Sequence, residues 1–518
     1  MRGGQAAKLD VEIDEAELAR RLRPRDDILV AEKRLDDPPT ATSGEARFGV
    51  EHGPFRTYER TTSWEPTVPG KVRFRQQVRF WPAIPFFGGI WYLFMRKPLR
   101  DGLDPGARPL WALPNRLDAR QSTVLAVMAL FHAAGGMLYA FLTNVLTFAS
   151  ADLGDGSAGE QSVILAVVRV GSVLTIATMA FADKAGRRRV TLWAASAAVA
   201  FTLASAAAPS LIALAALQTV SRNLAIAAML AADTLSVEEL PAGSRAAAQG
   251  LGALAYGWGA GLVVISLPLA DLGDSGWRLV FLTSAICIPF VWIGARHLPE
   301  SRRFLERDLS AKARKVSPRR FIFVGALFFL LNAFVAPSSQ LQNDYLRADQ
   351  GFAGSRITLF IVVTGVPGLF GILVGGRLAD RRSRRVAIVP GLLCMAGFGA
   401  LFYNLSGAPM WVSATLAAAL GTLAVPALGV LAPELFPTAR RGTARGGLSS
   451  IATVGSATGL LLAGALIDTV GYGNAFMWLA LAPMIAAALA MGVPETSGHE
   501  LEELNEDINA GKPPEGGG

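Results

Sequence analysis

The chain has 518 residues, 52% of them hydrophobic and 17% charged, with a formal charge of +8 and a mean hydropathy of +0.38. Soluble domains average about 25% charged residues, so this composition excludes an ordinary soluble enzyme. The basic charge sits between apolar runs, which reads as retention on one side of a membrane and not as a nucleic-acid face. Cys287 and Cys394 are the two cysteines and both lie in apolar runs, which leaves neither a disulfide framework nor a metal-ligand pair.

Residues 1–70 are polar, mixed in charge and rich in Pro, Gly and Thr, and are expected to form a disordered cytoplasmic tail with no secretory signal peptide. Residues 71–120 hold ten Lys or Arg against Asp101, Asp104 and Asp118. Within them FWPAIPFFGGIWYLFM (80–95) is too short to span a bilayer and is interrupted by Pro82, Pro85, Gly88 and Gly89. Trp81, Trp91 and Tyr92 beside basic residues suit an interfacial segment on anionic lipid; the alternative is a loosely packed linker.

From residue 121 onward there are twelve apolar runs long enough for helices crossing a hydrocarbon core of about 30 Å. They cover 121–148, 161–182, 189–208, 211–235, 246–270 and 277–297, then 321–341, 356–378, 386–406, 409–432, 446–468 and 474–493. The runs do not alternate in polarity, which argues against barrel strands. The expected fold is an all-α membrane protein with six-helix bundles at 121–297 and 321–493, a central loop at 298–320 and a tail at 494–518. Alternate loops carry Lys184 with Arg187, Arg188 and Arg189, then the block from Arg296 to Arg320, then Arg381, Arg382, Arg384 and Arg385, then Arg440, Arg441 and Arg445. The intervening loops carry Asp152, Asp155, Glu160, Asp271 and Asp274, so both termini are expected in the cytoplasm and the chain in the cell membrane.

Three motifs occur twice. ADKAGRRR at Asp183 recurs as ADRRSRR at Asp380, an offset of 380 − 183 = 197; Glu238 to Arg245 in EELPAGSR recurs as Glu434 to Arg441 in ELFPTARR, an offset of 434 − 238 = 196. PES at Pro299, which contains Glu300, recurs as PET at Pro494, which contains Glu495, an offset of 494 − 299 = 195. These residues resemble the major facilitator superfamily over about 121–505, and LPESRRFLERD, PELFPTARRGTARG and VPETSGHELEEL are most similar to its sugar-porter and metabolite-proton-symporter branch. The resemblance implies a secondary transporter whose two halves open a central site alternately to either side. It makes Asp183, Arg187, Arg188, Glu238, Arg245, Glu300, Asp380, Arg381, Arg384, Glu434, Arg441 and Glu495 candidate gating residues. Carboxylates beside Arg clusters can hold one half against the other in one conformation, and Glu238 with Arg245, and Glu434 with Arg441, are the expected ties.

Where sugar porters carry a Gln-rich seventh helix and a Trp four residues before the tenth-helix Glu, this chain has FFLLNAFVAPSSQLQNDY and Val430. Its fifth helix, GLGALAYGWGAGLVV, lacks the Gly-Pro pair of many drug antiporters. Ionisable groups retained inside a bilayer mark a pathway. His132, Arg169 and Arg222 fall mid-span in the first, second and fourth helices, and the first helix has no carboxylate between Ser122 and Ala149. Two arginines that stay charged point to an anionic substrate, and His132, which titrates between about pH 5 and 8, points to proton coupling. Carbonyl-satisfied structural cations and a hydrogen-bonded neutral His are the alternatives.

Tyr139, Asn144, Tyr256, Trp258, Asn332 and Gln340 are candidates to complete the site, or else interhelical hydrogen bonds. Gly446, Gly447 and Gly455 read as packing surface. No phosphate-binding lysine motif follows a strand, and no metal, cofactor or nucleic-acid partner is expected. The reading is therefore a monomeric carrier of a small organic anion. The rivals are a sugar or polyol porter, a drug efflux antiporter, and a non-transporting sensor or scaffold suggested by the N-terminal extension.

Overall fold

The computed structural model describes residues 6–36, 44–103, 109, 111–154, 164, 168, 171–273, 275–306, 318–342, 345–346, 349–352, 354–436 and 440–497. The chain divides into two compact units, Met1–Val127 and Met128–Gly518.

The first unit corrects the expectation of a disordered tail. Strands β1 (Ala6–Asp14), β2 (Ala31–Arg34), β3 (Gly44–His52), β4 (Phe55–Val68) and β5 (Lys71–Pro82) form an antiparallel sheet in the order β1-β5-β4-β3-β2, with α1 (Glu15–Arg21) after β1 and α2 (Gly88–Asp101) after β5. Gly70, at φ +80°, closes the hairpin that pairs Val68 with Lys71, a backbone conformation that glycine adopts without steric cost. Inward residues alternate strictly: Tyr58, Arg60, Thr62 and Trp64 on β4, then Val72, Phe74, Gln76, Val78 and Phe80 on β5. Three of these are polar, which hides the two-residue period from hydropathy. Buried Arg60 pairs with buried Glu32 at 2.6 Å, and the Tyr58 hydroxyl donates to the same carboxylate at 2.5 Å.

The 71–120 segment is thus not one interfacial element. Its first part is a central strand whose Lys71, Arg73, Arg75 and Arg79 share the exposed face. Helix α2 packs Tyr92, Met95 and Leu99 into the core with Phe55 and Phe80, while Ile90, Leu93 and Phe94 stay exposed.

Helix α3 (Ala119–Leu153) leads into the second unit, which is helical: α4 (Ser172–Ala185), α5 (Arg187–Ser205), α6 (Leu211–Glu239), α7 (Arg245–Ser266), α8 (Trp277–Leu282), α9 (Cys287–His297), α10 (Arg302–Leu305), α11 (Pro318–Gln340), α12 (Gly354–Arg381), α13 (Arg384–Phe402), α14 (Gly407–Gly421), α15 (Ala424–Leu435), α16 (Arg441–Leu479) and α17 (Leu481–Met491). Among the described residues ten helical runs are long and apolar enough to cross a bilayer; α4 and α5 are not among them. Helices α8 and α9 share one run and α14 and α15 another; α16 breaks at Gly471 (φ +77°), inside the final run, Thr469–Met491.

Two glycines make matching close approaches. A Cβ on Gly259 would stand 1.8 Å from the Ala133 carbonyl oxygen, and one on Gly459 would stand 2.0 Å from that of Ala333. Both partners are shifted by 200 (333 − 133 and 459 − 259), so α7 on α3 and α16 on α11 use the same backbone-to-backbone approach that small residues permit. A Cβ on Gly455 would likewise stand 2.4 Å from the Phe329 carbonyl oxygen, also between α16 and α11.

Candidate functional site

The repeated motifs meet at one end of the bundle. Asp183, near the end of α4, accepts from the backbone amides of Gly442 (2.9 Å) and Thr443 (2.7 Å) and from the Thr443 hydroxyl (2.7 Å). Asp380, at the end of α12, accepts from the amides of Ala246 (3.1 Å) and Ala247 (2.8 Å). Each carboxylate therefore caps the first turn of a helix in the other half, where unpaired N–H groups and the helix dipole favour negative charge.

The expected ties between Glu238 and Arg245, and between Glu434 and Arg441, are corrected. Glu238 pairs with Arg441 at 2.8 Å and Arg187 at 3.4 Å; Glu434 pairs with Arg384 at 2.8 Å and Arg245 at 4.0 Å. The pairs are crossed because the turn after each Glu carries the following Arg away from it. Arg245 Nε then faces the Leu240 carbonyl and Arg441 Nε the Phe436 carbonyl, both at 3.3 Å. All four arginines and both glutamates are at most 1% exposed.

Glu300 accepts from the amides of Arg187 (2.9 Å) and Arg188 (3.1 Å), and Glu495 from the amide of Arg384 (3.0 Å). Arg188 also donates to the carbonyls of Leu298 and Ala295, whereas Arg381 is exposed and joins none of these pairs. Burial raises the Glu495 carboxyl, but bonds from the Ser383 hydroxyl and from the Arg384, Ser497 and Thr496 amides outweigh it and hold the group below the usual glutamate value.

Further into the bundle lies a cavity of about 230 Å³ lined by Tyr139, Val168, Arg222, Asn223, Ile226, Asn332, Gln340, Ser449, Ala452, Thr453 and Ser456. Among the described residues its lining holds no carboxylate. Arg222 is 8% exposed and its guanidinium lies 4.0 Å over the Tyr139 ring; among the described residues it has no carboxylate or hydrogen-bond acceptor. The Tyr256 ring lies against that of Tyr139, centroids 6.3 Å apart, and is not in the lining. Asn223 and Asn332 each anchor their amide to a carbonyl of their own helix, at 2.8 and 2.9 Å.

Four expected site residues, Tyr139, Arg222, Asn332 and Gln340, thus line one cavity. Asn144 bonds the Ala140 carbonyl of its own helix and is not in the lining. Trp258 is half exposed and packs near Phe290, on the outer side of the bundle. Arg169 lies outside the described residues.

His132 is not in the cavity either. It faces Asp233 of α6, with Nε2 3.0 Å from Oδ1, while the other oxygen of Asp233 is paired with Arg445 of α16. The first helix has no carboxylate of its own, and the partner of His132 comes from the fourth run. Arg445, read from sequence as a loop cation, is 7% exposed inside a helix. Sequence reasoning also missed Ser449, Thr453 and Ser456, whose 4-and-3 spacing after Arg441 and Arg445 marks one helical face.

Residues 321–514 match the family model described as Major Facilitator Superfamily. The cis,cis-muconate transport protein of Acinetobacter baylyi is 27% identical over 281 residues, covering 50% of this chain and 67% of that protein. The gallate transporter of Pseudomonas putida is 27% identical over 358 residues, covering 60% and 78%. Among solved structures, the proton:xylose symporter XylE superposes with a TM-score of 0.64 at 20% identity, over 75% of this chain and 99% of that one.

Proposed function

We propose that this chain, which belongs to the major facilitator superfamily of secondary transporters, carries a small organic anion in the cavity around Arg222. The observation that bears the proposal is the guanidinium itself. Arginine stays charged at any physiological pH, an uncompensated buried charge is costly, and here its only described contact is an aromatic face. A carboxylate brought in by the substrate would complete it, with the second amide N–H of Asn332 and the Ser449 hydroxyl as further donors. A cavity of about 150 Å³ holds a benzene ring, so one of about 230 Å³ suits a ring or short diene bearing one or two carboxylates. The muconate and gallate carriers are relatives whose named substrates have this chemistry.

The arrangement fits twelve spans in two repeats, ten of which are long and apolar by the described residues alone. The crossed ion pairs and helix caps act as the gate, closed here on the end that carries the motifs. The distribution of Lys and Arg supports that end, and both termini, on the cytoplasmic side of the cell membrane. In the first unit, exposed Ile90, Leu93 and Phe94 lie beside exposed Arg96 and Lys97, and the Thr123 hydroxyl at the start of α3 donates to the Ala83 carbonyl at 2.9 Å. The apolar and basic residues exposed side by side on α2 support this helix as a surface for anionic lipid.

The test is tracer uptake into proteoliposomes with benzoate, gallate, cis,cis-muconate and glucose. Anion uptake is expected, and Arg222→Gln should lower it by about 10- to 100-fold, the worth of a charge-assisted hydrogen bond of about 1.5–3 kcal/mol. Glucose uptake that survives Arg222→Gln would overturn the anion reading in favour of a sugar porter.

A further inference from the structure

We infer that His132, Asp233 and Arg445 form the proton-carrying site of this transporter, separate from the substrate cavity and set between it and the gate. His132 Nδ1 lies 3.0 Å from the Met128 carbonyl oxygen. A carbonyl only accepts, so Nδ1 carries a hydrogen and donates it. Nε2 then stands 3.0 Å from Asp233 Oδ1. In neutral His132 that nitrogen is an acceptor, and two acceptors do not stay at 3.0 Å in a buried site. Oδ1 is buried and has no hydrogen-bond partner among the described residues, so one further proton, on Nε2 or on the carboxyl, would give the two groups their bond. The arrangement is thus suited to take up one proton.

Its surroundings make it readable by both neighbours. The charged groups facing His132 are Asp233 from α6 and Arg445 from α16; from α7 come Gly252, where a Cβ would stand 3.1 Å from Nε2, and the neutral Gln249. Arg445 is one helical turn from Arg441, which holds Glu238 in the gate, and one turn from Ser449 in the cavity lining. At about 1.5 Å per residue each step is about 6 Å. Asp233 and Arg445 also belong to opposite halves, so the pair is itself a tie between them.

Loading takes one proton from the aqueous phase, and unloading returns it from Nε2 or the carboxyl to water. The proton adds one positive charge beside a cavity that already holds Arg222. A bound proton and a bound anion therefore favour each other, and by linkage the preference is mutual. Loss of the proton sets the Nε2 lone pair against Oδ1 and leaves the Asp233 carboxylate to Arg445 alone, which strengthens the tie to α16. This assignment rests on the anion reading for its direction of coupling, but the site is testable without any substrate.

The experiment uses the full chain with Cys287→Ala, Cys394→Ala and Ser449→Cys, reconstituted in vesicles, and follows alkylation of the cavity cysteine by a membrane-impermeant maleimide added on the gate side. The rate rises with pH in every variant because the thiolate is the reacting form; the parent should show a further single-proton transition on that rise, and His132→Gln should show the rise of the thiol alone. Asp233→Asn and Gly252→Ala, which respectively remove the acceptor and crowd the ring, should shift the transition. The further transition retained in His132→Gln would overturn the proposal. A second readout protects against misfolding: in 13C-labelled histidine spectra the His132 resonance, one of four, should titrate in the parent protein with a midpoint that moves in Asp233→Asn. A midpoint that does not move also overturns it. Neither readout involves Arg222 or uptake, so failure here leaves the anion test standing and failure there leaves this one standing.

Discussion

Asp183→Asn removes one charge from the gate without changing the size of the side chain. In the parent protein the two carboxylate oxygens take three donors from the other half: the amides of Gly442 and Thr443 and the Thr443 hydroxyl, all within 2.9 Å. An asparagine offers one oxygen, and its amino group then faces at least one donor. One charge-assisted bond is worth about 1.5–3 kcal/mol and a charge at a helix N-terminus about 0.3–1 kcal/mol more. The loss is about 3 kcal/mol. It falls on the conformation in which the halves touch, because all three donors lie across the boundary. The closed-to-open ratio at this end should fall about 100-fold.

Asp380→Asn removes the equivalent cap on Ala246 and Ala247, and the two caps share none of these partners. Their effects should add, to about 10⁴-fold in the double variant. The assay is gate-side alkylation of Ser449→Cys in the cysteine-free background, with thermal unfolding as the control for folding. Folded single variants whose gate-side labelling matches the parent would refute the reasoning, since the caps would then contribute nothing to closure.

The crossed ion pairs predict a specific rescue. Glu238→Arg should open the gate, Arg441→Glu in the same chain should restore closure in part, and Arg245→Glu should not; gate-side labelling of the three proteins decides it. Glu495 gives a pH dependence outside the membrane. Its carboxyl is held below the ordinary value of 4.5, so its contribution is fully present above that value and is lost as pH falls through the lower, folded-state value. Thermal unfolding of Glu495→Gln should therefore lie below the parent at pH 7 and converge with it in acid.

The run lengths, the paired motifs and the mid-span Arg222 were legible in the sequence, because each depends on local chemistry: apolar length against bilayer thickness, a repeated charge pattern, a cation with no neighbour to offset it. The sheet of the first unit was not, since Arg60, Thr62 and Gln76 point inward and break the apolar alternation by which strands are recognised. Which carboxylate meets which cation was decided by tertiary structure alone. Glu238 is seven residues from Arg245 but bonds Arg441, 203 residues away, and Asp233 reaches both His132 and Arg445 on two other helices. Sequence determines which residues share a helical face. Only the packing of one half on the other determines what that face meets, and in this protein the crossed ion pairs, the cavity and the cluster of His132, Asp233 and Arg445 all lie on that boundary.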